Sequence, residues 1–199
     1  MTMNTALRMN AETGTCLRAL ACGACAVLVA LVFPAAAAAQ ASNQPPKPGP
    51  EHQRLGYFVG KWTSEGDMKP SPMGPGGKVT MTDSCEWFEG RFAVICHSDG
   101  KTPMGPNKSI AIMSYNSEEK VYTYYGIDNS PMTMASVPHG TVQGNTWTYN
   151  DESMMGGKKV KSRVTLKELS PTSYTFAMEM QGPDGKWAPF MEGKSTKAK

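Results

Sequence analysis

The carboxylate of Asp83 is the ionisable group in this sequence whose position most needs a chemical explanation. It lies in the stretch GGKVTMTDSCEW, where every second residue shares one face: Val79, Met81, Asp83, Cys85 and Trp87. This period of two is typical of a strand with one buried face, so Asp83 is expected to point inward. A buried carboxylate needs a partner, for which Arg91 and Arg163 are the candidates, or it becomes a functional group with a raised pKa.

Methionine is the second source of chemistry, with 15 residues in the chain. Two pairs stand at two-residue spacing in predicted strands, Met132 with Met134 and Met178 with Met180, so each pair shares a face. Flexible thioethers suit an adaptable apolar pocket, a Cu(I) site or ordinary core filling, and all three interpretations stay open. The candidate pocket residues are Met81, Asp83, Trp87, Tyr125, Met132, Met134, Phe176, Met178 and Met180.

Signatures of catalysis and of bound cofactors are missing from the sequence. It contains no nucleophile elbow, phosphate-binding loop, dinucleotide-binding loop or zinc motif. The histidines, His52, His97 and His139, are too scattered to predict a metal site, which needs three or four convergent ligands. We therefore predict no catalytic residue, metal or cofactor. An enzyme or metal handler that uses His97, Asp83 or the methionine pairs is kept as the alternative.

About ten short strands are expected to position these side chains. They run from KWTSEGDM to GKWAPFMEG and are separated by turns such as NSEEK and QGPDGK. The only helical spacing is in EHQRLGYFV, which predicts a short helix before the first strand. Ten strands in a flat sheet would expose two edges, whereas a closed barrel has none. The sequence therefore predicts an all-β, antiparallel, up-and-down barrel, with a two-sheet sandwich as the alternative.

The two cysteines that follow the leader, Cys85 and Cys96, lie at similar distances from the turn FEGR. Both fall on the predicted inward face, so a cross-strand disulfide is sterically plausible. Two cysteines in an exported chain favour a bond, and two buried free thiols are the alternative.

The first 39 residues have the features of a signal peptide. Arg8 and Arg18 precede the apolar run ALACGACAVLVALVF, which is shorter than the roughly 20 residues that a membrane helix needs. We predict cleavage after Ala39, with Ala41 as the alternative, then a proline-rich linker over residues 40–50 and a barrel domain over residues 51–195. The protein is expected to be periplasmic or secreted, with no stable membrane insertion after cleavage. An uncleaved N-terminal anchor is the competing interpretation.

Three stretches together resemble a known family. LGYFVGKW, FEGRF and IAIMSYNSEEKVYTYYGIDNS occur in this order, and the set resembles the DUF1579 family, mostly bacterial proteins of uncharacterised function with a lipocalin-like barrel. The resemblance covers roughly residues 51–192 and implies a fold but no activity. In such calycin-like barrels the tryptophan of Gly-x-Trp closes one end, which implies that Trp62 is a structural plug. The related nitrobindins bind haem through a histidine on a late strand, and this chain has none in its last three strands.

The sequence thus predicts an exported barrel that binds a small apolar or amphipathic ligand. The formal net charge of +3 is spread along the chain, so it does not indicate a nucleic-acid partner. Copper handling or an uncharacterised enzyme is the alternative function, and a barrel filled by its own side chains, without a ligand, is the third.

Overall fold

The computed structural model describes residues 46–71, 74–130, 136–155, 157–182 and 184–198. A short helix α1 (Pro50–Arg54) continues into a 3-10 helix (Leu55–Phe58), and a second 3-10 turn (Glu89–Arg91) follows the second strand. The strands are β1 (Gly60–Met68), β2 (Gly77–Trp87), β3 (Ala93–Thr102), β4 (Gly105–Asn116), β5 (Val121–Asp128), β6 (His139–Gln143), β7 (Thr146–Met155), β8 (Lys158–Ser170), β9 (Ser173–Gln181) and β10 (Trp187–Lys197).

The strands form a closed antiparallel barrel. Each strand pairs with its neighbours in sequence, and β1 closes the ring by pairing with β10 from Trp62↔Lys197 to Met68↔Met191. The predicted ten-stranded up-and-down barrel with a short N-terminal helix is therefore confirmed. Strand β10 continues to Lys197, two residues past the predicted end of the domain, because its last residues complete the wall between β9 and β1.

Alternation along the strands decides which side chains enter the barrel. On β2, Val79 and Cys85 are buried and Met81, Asp83 and Trp87 are partly buried, whereas the residues between them are exposed. The predicted inward face of this strand is thus confirmed.

The N-terminal helices close one end of the barrel, here called the plugged end. Leu55 and Phe58 are buried beneath them, and the Trp62 side chain is only 1% exposed. The indole N–H of Trp62 donates a hydrogen bond of 2.7 Å to the carbonyl oxygen of Phe58. Trp147 is fully buried in the same cluster, with its ring 5.0 Å from that of Phe58. Trp62 therefore lies in the core under the helices, the position expected of a plug.

Methionines gather in a second, separate cluster, here called the methionine cluster. Its buried members are Met68, Val79 and Phe190, with Met81, Met178, Met180 and Met191 partly buried against them. Met68 is the last residue of β1 and Val79 lies near the start of β2, whereas Trp62 lies near the start of β1. This cluster therefore lies toward the end of the barrel opposite the plug.

A disulfide joins Cys85 to Cys96, which face each other across β2 and β3, as predicted. The bond spans a sequence separation of 11 residues. Closing a loop of this length restricts the unfolded chain, so replacing both cysteines with alanine should lower the free energy of unfolding by about 2 to 3 kcal/mol in urea titrations. Reductant should destabilise the natural protein and leave the double variant unchanged. Equal stability of the natural protein and the double variant without reductant would contradict this account.

Candidate ligand site inside the barrel

The Asp83 carboxylate lies inside the barrel and its partners are hydroxyl groups. Asp83 stands opposite Ser98 on β3, and its Oδ2 accepts a hydrogen bond of 3.4 Å from the Ser64 hydroxyl on β1. Ser98 also donates a hydrogen bond to the carboxylate. The buried Ser64 hydroxyl is 2.6 Å from that of Ser195, which extends the network across β10. These residues make a polar centre within an otherwise apolar interior.

The predicted arginine partners of Asp83 are wrong. The Arg91 guanidinium lies over the Trp87 ring, 5.1 Å from its centroid, at the plugged end. Arg163 points outward from β8, where it donates a 2.7 Å hydrogen bond to Glu179 and stacks on Trp187. Register places Arg163 on the outer face of β8, and Arg91 lies in the 3-10 turn that follows β2, so neither reaches the inward-pointing Asp83.

Three tyrosines complete the polar centre. Tyr174 shares a hydrogen bond with Ser195. The Tyr124 and Tyr149 rings are 6.1 Å apart at an interplanar angle of 64°. Tyr149 is only 4% exposed, and its hydroxyl has no hydrogen-bond partner in the described part of the chain. Its ring lies against Gly140, where an added Cβ would come within 2.5 Å of the ring, so only glycine admits this packing.

The polar centre disfavours further negative charge. Burial raises the pKa of Asp83, and the hydrogen bonds from Ser98 and Ser64 oppose that rise. Burial, with smaller contributions from the Asp83 and Asp128 carboxylates, raises the pKa of Tyr124 to about 12. The pKa of Tyr174 is also raised to about 12, again by burial first, and that of Tyr149 is raised by burial as well. All three phenols are therefore neutral at physiological pH.

Cations are scarce on the inward face of the described strands. Arg54 and Lys197 reach the plugged end, where Arg54 pairs with Glu168 and Lys197 lies over the Trp62 ring. Beyond Trp62, the only inward strand position with a Lys or Arg in the described ranges is Lys158, at the exposed start of β8. The Asp83 carboxylate consequently has no cationic partner among the described residues.

Exposure changes from one end of the interior to the other. Val94 and Trp147, at the plugged end, are fully buried. Inward residues of β8 and β9, including Val164, Phe176 and Met178, remain partly exposed although their side chains face into the barrel. Asp83 itself is also partly exposed. Partly exposed side chains therefore line the interior between the plugged end and the methionine cluster.

The predicted pocket residues divide into four groups, of which Tyr125 is the last. Met81, Asp83, Phe176, Met178 and Met180 take inward positions, with Asp83 in the polar centre and the three methionines in the methionine cluster. Trp87 also points inward, but it packs against Gly56 of the 3-10 helix and belongs to the plugged end. Met132 and Met134 lie outside the described residues.

The prediction for Tyr125 is wrong. Its side chain is 40% exposed and lies on the outer face of β5, opposite Ile112. Tyr124 takes the inward position instead, because consecutive residues of a strand point to opposite faces. Sequence reasoning chose the wrong member of this tyrosine pair and also missed Tyr149, Ser64 and Ser195. The alternation of β1, β7 and β10 carried a signal for those three residues.

His97 and Asp83 cannot form one catalytic site, because they lie on opposite faces of the wall. His97 is exposed and borders a groove of about 730 Å³ on the outer face of the barrel. The lining of this groove extends from β1 to β5. It combines residues of the inward row, Asp83, Ser98 and Ser109, with the outward residues Lys61, His97, Asp99, Lys108, Ile110 and Ile127. In the described ranges, no group of three His, Cys, Asp or Glu side chains could hold a metal ion. The copper alternative rests on thioethers and stays a prediction.

Replacing Asp83 with asparagine should stabilise the fold near neutral pH by about 1 kcal/mol. Burial raises the folded-state pKa of Asp83 above its ordinary value of 3.8, so ionisation costs the folded state more than the unfolded one. The contribution of the protonated carboxyl is present below 3.8 and is lost as pH rises through the raised pKa. The gain should therefore be largest near neutral pH and absent below about pH 3.8.

Urea titrations across this pH range measure the effect, with Asp99→Asn as the matched control. Asp99 is exposed on the outer face and pairs with Lys108, so its replacement should change stability little at any pH. A pH-independent gain for Asp83→Asn, or a loss of stability near neutral pH, would contradict the assignment.

Comparisons with known proteins identify the family. Two solved structures resemble the chain: Rv2717c from M. tuberculosis, with a TM-score of 0.54 and 9% identity over 76% of this chain and 99% of that one, and the S-type phycobiliprotein lyase CPES from Guillardia theta, with a TM-score of 0.50 and 11% identity over 75% of this chain and 93% of that one. At such identities the similarity shows the fold alone. No curated protein matches the sequence. The family model described as "Protein of unknown function (DUF1579)" matches residues 47–197, and the chain therefore belongs to the DUF1579 family.

Proposed function

We propose that the barrel interior binds a small amphipathic molecule. Its polar part lies against Asp83 and the surrounding hydroxyls, and its apolar part lies along the methionine cluster. The observation that carries the proposal is the Tyr149 hydroxyl, which is buried without a partner beside this polar centre. Most buried polar side-chain atoms in proteins are hydrogen-bonded, so an unpaired one beside partly exposed inward side chains favours a site that a ligand completes.

The composition of the interior supports the proposal. Partly exposed apolar side chains next to a few convergent polar groups are typical of small-molecule sites. Methionine, with its flexible thioether, adapts to ligands of different shape. Barrels of this size often enclose a ligand, although the fold by itself is only an analogy.

Binding of the apolar dye N-phenyl-1-naphthylamine tests the proposal. Ser98 points inward beside Asp83, so Ser98→Phe should block the site and weaken dye binding by about tenfold or more, the factor that 1.4 kcal/mol produces. Asp99→Phe is the matched control, because the neighbouring side chain points outward and is exposed. Thermal unfolding of each variant verifies that it is folded, and Ser109→Phe, next in the same inward row, serves as a second blocking variant.

Equal dye affinity in the natural protein and in both blocked variants would place binding outside the barrel and overturn the proposal. The absence of saturable binding to the natural protein would overturn it as well.

We further propose that the mature protein is periplasmic or secreted. The Cys85–Cys96 disulfide supports export, because such bonds persist in oxidising compartments. Within the described residues, no helix is long and apolar enough to cross a bilayer. Intact-mass measurement of the protein from fractions of its host should give a chain that begins at Gln40 or Ser42. A chain that retains the leader and sediments with membranes would contradict export.

A further inference from the structure

We infer that the interior site selects ligands with a cationic head group, an alkylammonium, held by the Asp83 carboxylate within the faces of Tyr124, Tyr149 and Tyr174. This inference rests on the proposed function and specifies its ligand class.

The negative charge of Asp83 is the first feature that favours a cationic ligand. Among the described residues, the Asp83 carboxylate accepts hydrogen bonds from Ser64 and Ser98 and forms no ion pair with a Lys, Arg or His side chain. A partly buried carboxylate without a counter-ion attracts a cation more strongly than a surface carboxylate does, since the interior screens charge less than water. Asp151 on β7 adds a second inward carboxylate by register, and it too is partly buried.

The aromatic rings near Asp83 are the second feature that favours a cationic ligand. Tyr124 and Tyr174 lie close enough to Asp83 for its charge to act on both phenols, and Tyr124 packs against Tyr149 with ring centroids 6.1 Å apart. Faces of aromatic rings attract ammonium groups, and rings grouped around one point are the usual means of holding quaternary ammonium ligands. The barrel already contains one such contact, in which the Lys197 ammonium lies 5.0 Å from the centroid of the Trp62 ring.

An anionic head group is disfavoured in the same place. A fatty carboxylate bound head-first would place its charge beside the Asp83 carboxylate, in a site where burial already opposes the ionisation of Asp83. Like charges at this distance in a partly desolvated site repel, so anionic amphiphiles should bind worst.

The length of the apolar tail follows from the spacing along β2. Asp83 and Val79 are separated by four residues, about 13 Å along a strand, and Val79 belongs to the methionine cluster. A decyl chain has about that reach, which sets the choice of probes.

Calorimetric titration with three decyl probes tests the inference: decyltrimethylammonium, 1-decanol and decanoate. For the natural protein, the ammonium should bind about tenfold more tightly than the alcohol, and decanoate should bind least tightly. Asp83→Asn should lose the preference for the ammonium, so that its affinity for the ammonium falls about tenfold relative to its affinity for decanol. Asp99→Asn, on the outer face, should retain the full preference.

A second variant separates the tyrosine ring from the carboxylate. Tyr124→Leu removes one aromatic face and keeps apolar volume, so it should weaken ammonium binding severalfold relative to decanol binding. Its melting temperature verifies folding.

The outcomes separate the two proposals. Equal affinity for the three probes, tightest binding of decanoate, or an ammonium preference that survives in Asp83→Asn would overturn the cation inference and leave interior binding in place. If none of the probes bound saturably and the naphthylamine dye also failed to bind, the proposed function itself would fall.

Discussion

Replacing Trp62 with alanine is expected to lower the free energy of unfolding by about 3 to 5 kcal/mol. The side chain is 1% exposed, and its ring packs against Tyr57 and Tyr174 with centroids 5.7 and 5.0 Å away. Truncation would leave a cavity beneath the N-terminal helices. It would also remove the hydrogen bond that the indole N–H donates to the Phe58 carbonyl oxygen. Urea unfolding followed by far-ultraviolet circular dichroism measures the loss.

Trp187→Ala is the matched control for this prediction. Trp187 is partly exposed and stacks on Arg163, with 4.6 Å from the guanidinium to the ring centroid. A cation–π contact at such a site contributes about 0.5 to 1 kcal/mol, so its loss should cost far less than that of Trp62. Similar costs for the two variants would show that Trp62 does not close the plugged end.

The second large effect is expected for Glu168→Ala, which should lower the free energy of unfolding by about 3 to 4 kcal/mol. The Glu168 side chain is 14% exposed, and its Oε1 accepts hydrogen bonds from Arg54 at 2.9 Å and from the indole N–H of Trp147 at 2.7 Å. Removing the carboxylate leaves a buried indole N–H and a partly buried guanidinium without this partner. Arg54 belongs to α1, so the variant should also loosen the helix from the barrel, which hydrogen exchange at α1 would detect.

Glu192→Ala provides the comparison, because Glu192 pairs with Lys69 at 2.9 Å on the surface and is 60% exposed. Exposed pairs contribute at most about 1 kcal/mol. If Glu168→Ala lowered the free energy of unfolding no more than Glu192→Ala and left hydrogen exchange in α1 unchanged, Glu168 would not hold α1 against the barrel.

Local patterns in the sequence were sufficient for the architecture. The alternation around Asp83 has only one phase that buries Val79, Cys85 and Trp87, so it determined the inward face of β2. The turn at Gly90, which adopts a φ of 79°, set Cys85 opposite Cys96 and thus the disulfide. Both features depend on residues close together in the chain, where the period of a strand and the chemistry of a turn suffice.

The polar centre depends on contacts that local patterns do not encode. Ser64 and Ser195 are 131 residues apart and meet only because β1 pairs with β10 to close the ring. The partners of Asp83 likewise follow from the register of whole strands, which explains why Arg163 was the wrong choice. At Tyr124 and Tyr125 the sequence offers identical side chains, and only the pairing of β5 with β4 decides which one points inward.

Methionine methyl resonances test interior binding most directly. The protein, labelled with ¹³C at its methionine methyl groups, is titrated with N-phenyl-1-naphthylamine, and individual methionine substitutions assign the signals. Met81, Met178 and Met180 belong to the methionine cluster and take inward positions, whereas Met154 is exposed on the outer face of β7. We expect saturable shifts of the first three signals and an unchanged Met154. Shifts at Met154 with the other three unchanged would show that the ligand binds outside the barrel and would contradict the account.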